Sequence, residues 1–137
     1  MSRGGGERAI LAANAAFYRA FGARDAVAMD GLWARNAPVA CIHPGWHALT
    51  GREQVMESWR AILGNPEQPD LRCLRATVHQ VDAFAFVTCY EHIAQQLLVA
   101  TNVFVLEDGE WRMVHHQSGP SAPPPDADAQ SGSDTVH

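Results

Sequence analysis

Apolar positions recur at helical spacing in the first half of the chain and in short β-like runs in the second. Between residues 7 and 22, Ile10, Phe17 and Phe21 fall on one helical face, with Leu11 and Tyr18 beside them and Gly22 as a stop. Asp25 is placed to cap a second helix over 25–33 that buries Val27, Met29, Leu32 and Trp33. Pro38 opens a short strand over 39–42, and His43-Pro44-Gly45-Trp46-His47 reads as a loop because Pro and Gly break regular structure. Thr50 and Glu53 have capping-box spacing at the start of a third helix. That helix presents Val55, Met56, Trp59 and Ile62 to the core and ends near Gly64-Asn65-Pro66.

The second half is rich in β-branched and aromatic residues over 71–81, 84–93, 97–106 and 111–118. The breaks are Asp82-Ala83, Ala94-Gln95-Gln96 and Asp108-Gly109, the last a strong hairpin signal. Three helices with one early strand, then four antiparallel strands, predict an α+β domain with the helices on one face of the sheet. A strongly curved sheet would make this a cone with an internal cavity. The folded body is expected over 8–118. Residues 1–7 are expected to be disordered, as is the Pro-rich acidic tail over 119–137, which has little to bury. No internal repeat is visible.

Composition narrows the function classes. Apolar residues make up 47% and charged residues 18% of the 137 positions, so one buried core is affordable. The formal charge is −5, which argues against a nucleic-acid or anionic-membrane partner. All ten basic residues are Arg, and the absence of Lys excludes Schiff-base chemistry by this chain. Cys41, Cys73 and Cys89 are odd in number and lack CxxC spacing, so a disulfide framework is not expected. There is no apolar run of membrane-spanning length and no secretory pattern at Met1–Glu7, and a reducing cytoplasm is expected.

Three separated segments carry a resemblance. They are Asn14-Ala15-Ala16-Phe17-Tyr18-Arg19-Ala20-Phe21 with Asp25 and Leu32-Trp33; His43-Pro44-Gly45-Trp46-His47 with Gly51-Arg52-Glu53 and Trp59; and Gly109 to Ser118. In this order they resemble the SnoaL-like branch of the nuclear-transport-factor-2-like (NTF2-like) superfamily over about 8–118. The resemblance implies a cone-shaped, cystatin-like α+β fold with three N-terminal helices packed on a curved antiparallel sheet. The last strand also resembles that of the association domain of calmodulin-dependent kinase II, a non-catalytic member. The superfamily's steroid isomerases pair a helix Tyr with a buried Asp in an oxyanion hole and use an Asp base. Their positions fall here on Phe17, on Asn102, and near Cys41 or His43. The chain departs from that pattern throughout, so isomerase activity of that type is not expected.

Candidate site residues follow from the loop and from strand parity. His43 and His116 are candidate acid/base groups because imidazole titrates near neutral pH. Taking Asn102 as inward makes Phe104 inward as well, then Phe86, Tyr90 and His92 on the preceding strand, and Val114, His116 and Ser118 on the last. Glu91 is then outward, either solvated or at an interface. Phe17 and Trp33 are expected to floor the cavity with Phe104, while Cys41, Trp46 and His47 lie near its rim. No metal site is expected, since the histidines do not converge, and nothing in the chain implies a cofactor. Trp111 and Met113, with Val87 and Cys89, are expected on the outer sheet face, where an apolar patch would be covered by a second copy in a homodimer. Two readings stay open. One is a non-catalytic protein that binds a small organic molecule in one largely apolar pocket. The other is an isomerase, cyclase, dehydratase or hydrolase using a pocket His.

Overall fold

The computed structural model describes residues 6–125. Among these the order is α1 (Gly6–Gly22), α2 (Ala26–Leu32), β1 (Ala40–Ile42), β2 (Leu49–Thr50), α3 (Arg52–Leu63), β3 (Leu71–Val81), β4 (Phe84–Ile93), β5 (Gln96–Glu107) and β6 (Glu110–Pro120). The strands form one sheet in the order β2-β1-β6-β5-β4-β3. Neighbours are antiparallel except β1 and β6, which run parallel with Cys41 opposite His116. The sheet is curved and unclosed, with the three helices packed against it.

Local sequence explains most of the boundaries. Asp25 caps α2 through its carboxylate, which accepts from the Ala28 N–H at 3.0 Å. The β5–β6 hairpin turns at Asp108-Gly109, both with positive φ, as a type I′ turn requires. The Glu107 carboxylate accepts from the N–H groups of Arg35, Asn36 and Ala37 and so holds the connection from α2 to β1.

Other expectations are corrected. Thr50 does not cap α3: it pairs with Ala40 in β2, Gly51 is the N-cap, and the Gln54 side chain accepts from the Thr50 N–H. Val27 lies on the solvent side of α2. Helix α1 takes in Gly6 and Glu7, and β6 runs on to Pro120, after which the Ser121 N–H donates to Leu97 O. Helix and strand therefore extend past 8–118 at both ends. The rest of the expected terminal disorder, at 1–5 and 126–137, lies outside the described residues.

The larger correction concerns strand parity. Ala94 and Gln95, with φ of 49° and 65°, form a two-residue turn that pairs Ile93 with Gln96. A three-residue break would have placed Thr88 opposite Asn102; Val87 is there instead. One residue of slip reverses every side chain of the strand. Ala85, Val87, Cys89 and Glu91 therefore face inward, and Phe86, Thr88, Tyr90 and His92 face outward. In β6 a bulge at Val114 lets Val103 pair with His115 and Phe104 with Met113. His116 and Ser118 remain inward, but Trp111 and Met113 also point inward, and Val114 does not.

The narrow end of the cone is consequently a closed core. Ile10, Met29, Trp33, Phe104 and Met113 are at most 1% exposed there. Trp33→Ala or Phe104→Ala is expected to cost about 3–5 kcal/mol of stability in urea denaturation. A loss below about 1 kcal/mol would show that the side chain occupies open space and not packed core.

Candidate functional site

The wide end of the cone holds a cavity of about 410 Å³ between α1, α3 and the inner face of the sheet. Its wall mixes aromatic and aliphatic side chains: Phe17, Tyr18 and Phe21 come from α1, Trp59 and Ile62 from α3, Trp46 from the β1–β2 loop, and Leu71, Ile93 and Leu98 from the sheet. His43, Glu91, His116 and the Tyr18 hydroxyl are its ionisable groups, and no Lys or Arg lines it among the described residues.

The loop places two of these residues by its own turn chemistry. Pro44 and Gly45 are the central residues of a turn closed by Trp46 N–H donating to His43 O at 2.9 Å. Gly45 has φ +82°, the left-handed value that a type II turn demands at that position. His43 is then held edge-on between Trp46 and Trp59, each ring centroid 4.7 Å away. Ser58 donates its hydroxyl proton to Val55 O at 2.7 Å, so its oxygen accepts from His43 Nε2–H at 2.9 Å.

Of the residues singled out in the sequence, Phe17, His43, Trp46 and His116 border the cavity. Cys41, Asn102 and Ser118 lie buried behind its wall. Cys41 Sγ is 3.7 Å from His43 Nε2, and Asn102 Oδ1 is 2.6 Å from His116 Nδ1. The remaining six are corrected. Trp33 and Phe104 are sealed in the narrow-end core. His47 is exposed and donates to Ala48 O at 3.1 Å. The β4 register puts Phe86, Tyr90 and His92 on the outer face, where Phe86 stacks on His79 at 4.6 Å.

Glu91, Tyr18, Ser58 and Trp59 were missed as site residues. Glu91 is 2% exposed, not solvated. Its Oε2 accepts from the Tyr18 hydroxyl and its Oε1 from the Ser118 hydroxyl, both at 2.6 Å. Asn102 Nδ2 donates to Asn14 Oδ1 at 2.9 Å and to the Tyr18 oxygen at 3.1 Å. Cys89 Sγ approaches that oxygen at 3.2 Å. The signal for Glu91 was period-2 alternation, usable only with the correct register. Helix α1 does supply a buried aromatic hydroxyl, but from Tyr18, one position after the residue aligned with the isomerase tyrosine.

Burial sets the electrostatics. Desolvation lowers His43 to about 4. It lowers His116 to about 3, helped by His43 and His115 nearby. Both rings are therefore neutral at pH 7. Desolvation raises Glu91, against the opposing effect of its bonds from Ser118 and Tyr18. Tyr18 is held well above its ordinary value, first by desolvation and then by Glu91. Cys41 is pushed up to about 12 by desolvation, so it is no thiolate nucleophile at neutral pH. Trp59 Nε1 is buried without an acceptor among the described residues. No group of three or more His, Cys, Asp or Glu side chains positioned to hold a metal ion occurs among them.

The SnoaL-like domain family matches residues 10–123. This chain belongs to that family. Among solved structures it is similar to a putative dehydratase from the NTF2-like family of Streptomyces avermitilis. That match has 31% identity and a TM-score of 0.77 over 84% of this chain and 95% of that one. It is also similar to a putative calcium/calmodulin-dependent protein kinase type II association domain from Thiobacillus denitrificans, with 33% identity and a TM-score of 0.74 over 82% and 94%. A cystatin-like protein from Caulobacter vibrioides shares the fold at 15% identity and a TM-score of 0.75, covering 93% of this chain and 95% of that one. The curated F-box protein SKIP8 of Arabidopsis thaliana is 30% identical over 113 residues, which is 81% of this chain. The chain spans about half the length of that relative (49%). The NTF2-like, cystatin-like α+β fold expected from the sequence is thus established.

In this SnoaL-like chain the neutral histidines have a thermodynamic signature. Folded His43 sits below its unfolded value of 6.5, so as pH falls the unfolded chain takes up the proton first. Stability is therefore lost from about pH 6.5 down to about pH 4. Glu91, held above its ordinary value, works in the opposite direction as pH falls. His43→Gln keeps a donor for Ser58 and should flatten the wild-type slope by up to about 1.4 kcal/mol per pH unit in urea titrations across this window. Identical slopes would mean that His43 charges freely in the folded state.

Proposed function

We propose that the chain binds a small, uncharged, planar organic molecule in the wide end of the cone. The observation that carries this reading is the cavity wall: five aromatic side chains, two neutral histidines, a Glu91 carboxyl already bonded by Tyr18 and Ser118, and, among the described residues, no cation to pair a carboxylate or phosphate. Pockets for small molecules are mostly apolar with a few polar groups that orient the ligand. The His116 Nε2 lone pair suits a hydroxyl, and the Asn65 and Gln68 amides in the lining suit a carbonyl, on an aromatic frame. The three cysteines are free thiols, in keeping with a cytoplasmic setting. No helix among the described residues is long and apolar enough to cross a membrane.

A second reading, proton transfer on the bound molecule, is favoured by the two neutral imidazoles with ring centroids 6.4 Å apart at the cavity wall. The likeness to a putative dehydratase supports it as well. The probe 2-acetylnaphthalene tests both. It should quench Trp46 and Trp59 emission on binding, while 2-naphthoate, its charged near-isostere, should bind at least about tenfold more weakly because its carboxylate loses hydration without a partner. Ile62→Trp, which fills the cavity, should abolish binding with the far-UV spectrum intact. Unaltered binding to Ile62→Trp would put the ligand elsewhere. Under the second reading the protein also speeds deuterium exchange into the acetyl methyl of the probe, and His116→Gln removes that acceleration.

We also propose a homodimer through the outer sheet face, though not with the residues first expected there. Trp111, Met113, Val87 and Cys89 are buried inside the chain. The outer face instead carries Tyr90 beside Val99 and Phe86 beside Val103. Val99 is 40% exposed, an apolar position that a partner would cover. Sedimentation at micromolar concentration should give the mass of two chains, and Val99→Asp the mass of one. A wild-type mass of one chain would end the proposal.

A further inference from the structure

We propose that Glu91 is a positioning residue. Through Tyr18 and Asn102, it dictates which ring nitrogen of His116 carries the proton and leaves Nε2 as a proton acceptor for the cavity. The inference rests on the cavity being the ligand site, as proposed above. It follows from counting donors along one chain of side chains. A hydroxyl donates to each of the two Glu91 oxygens, the pattern of an ionised carboxylate, which has no proton to give. Tyr18 and Ser118 are the two donors, both at 2.6 Å. Tyr18 has one hydroxyl proton, now committed to Glu91, so its oxygen can only accept from Asn102 at 3.1 Å. That contact selects the amide nitrogen of Asn102, whose second proton goes to Asn14 Oδ1 at 2.9 Å.

With the nitrogen so turned, the Asn102 oxygen faces His116 Nδ1 at 2.6 Å. An amide oxygen only accepts, so Nδ1 must hold the proton of the neutral ring. Nε2 is left with a lone pair and no hydrogen-bond partner among the described residues, on a ring that borders the cavity. Every proton in the chain points from His116 toward Glu91. Were Glu91 replaced by a group able to donate, the Tyr18 hydroxyl and the Asn102 amide would be free to turn, and the ring could carry its proton on Nε2 instead. The other ionisable groups around the chain are Cys89 at the Tyr18 oxygen, Cys73 at Asn14, Cys41, His43 and His115.

The test reads the ring directly by nitrogen NMR of the full chain labelled at histidine, at neutral pH and without ligand. Wild-type His116 should show one protonated nitrogen, Nδ1, and an unprotonated Nε2. In Glu91→Gln, and in Tyr18→Phe, which cuts the chain while leaving the carboxyl in place, the ratio of tautomers should move by about tenfold toward Nε2–H. Tyr18→Phe changes only the hydroxyl, so it serves as the reading if Glu91→Gln does not fold. A wild-type ring protonated at Nε2 overturns the proposal. So does a folded variant that keeps the wild-type tautomer, since Asn14 and Asn102 would then suffice without Glu91. Binding of 2-acetylnaphthalene is measured on the same samples. Failure of the wild type to bind would sink the cavity reading and leave the tautomer result standing.

Discussion

A carboxyl group buried inside an apolar cone constrains everything around it. Glu91 is almost fully removed from water, and an unsolvated carboxylate is tolerated only when donors surround it. Tyr18 and Ser118 are those donors, and they come from α1 over the inner face and from β6, two strands away from β4. Satisfying Glu91 therefore ties the first helix to the last strand. Satisfying Tyr18 in turn recruits Asn102 on β5, and Asn102 recruits Asn14 and His116. Polar side chains from four elements must meet within one small volume, which tolerates little sliding of the sheet against the helix.

The cone divides around this network. On one side Trp33, Phe104, Met113 and Ile10 fill the interior and leave no room for a ligand. On the other the aromatic residues of α1, α3 and the His43–His47 loop stand apart and leave a cavity. The network is the wall between them: its acceptors and donors face inward to one another, and its two ends, His116 and Glu91, reach the cavity. A rigid, hydrogen-bonded partition supporting a mostly apolar cavity suits recognition of a molecule that brings its own polar group. It equally suits proton transfer, because each orienting side chain is itself held by a second one. Fold by itself does not choose between them.

The relatives illustrate that point. Two solved structures of similar identity bear names from different functional classes, one a putative dehydratase and the other a putative kinase association domain. The chemistry of this chain must be read from its own side chains. Those at the cavity are the neutral His43 and His116 and the buried Glu91, with no cationic side chain among the described lining residues.

Much of the fold was legible because it rests on local chemistry. Helical spacing in α1 and α3, the Asp25 cap, the Asp108-Gly109 turn and the runs of β-branched residues each act over a few neighbouring positions. His43 and Trp46 were legible as neighbours of one rim because Pro44 and Gly45 determine their turn. Glu91 was not legible. Its side depends on whether the β4–β5 turn has two residues or three, and Ala94-Gln95 adopts left-handed φ with no glycine or asparagine to announce it. The Val114 bulge likewise reversed Trp111 and Met113 without any mark in the sequence. By itself, then, the sequence determined the family, the order of elements and the aromatic and histidine-bearing loop, since those depend on contacts close along the chain. Only the tertiary structure decided which faces of β4 and β6 look inward, because strand parity is a property of pairing across the sheet and a single residue of register exchanges inside for outside.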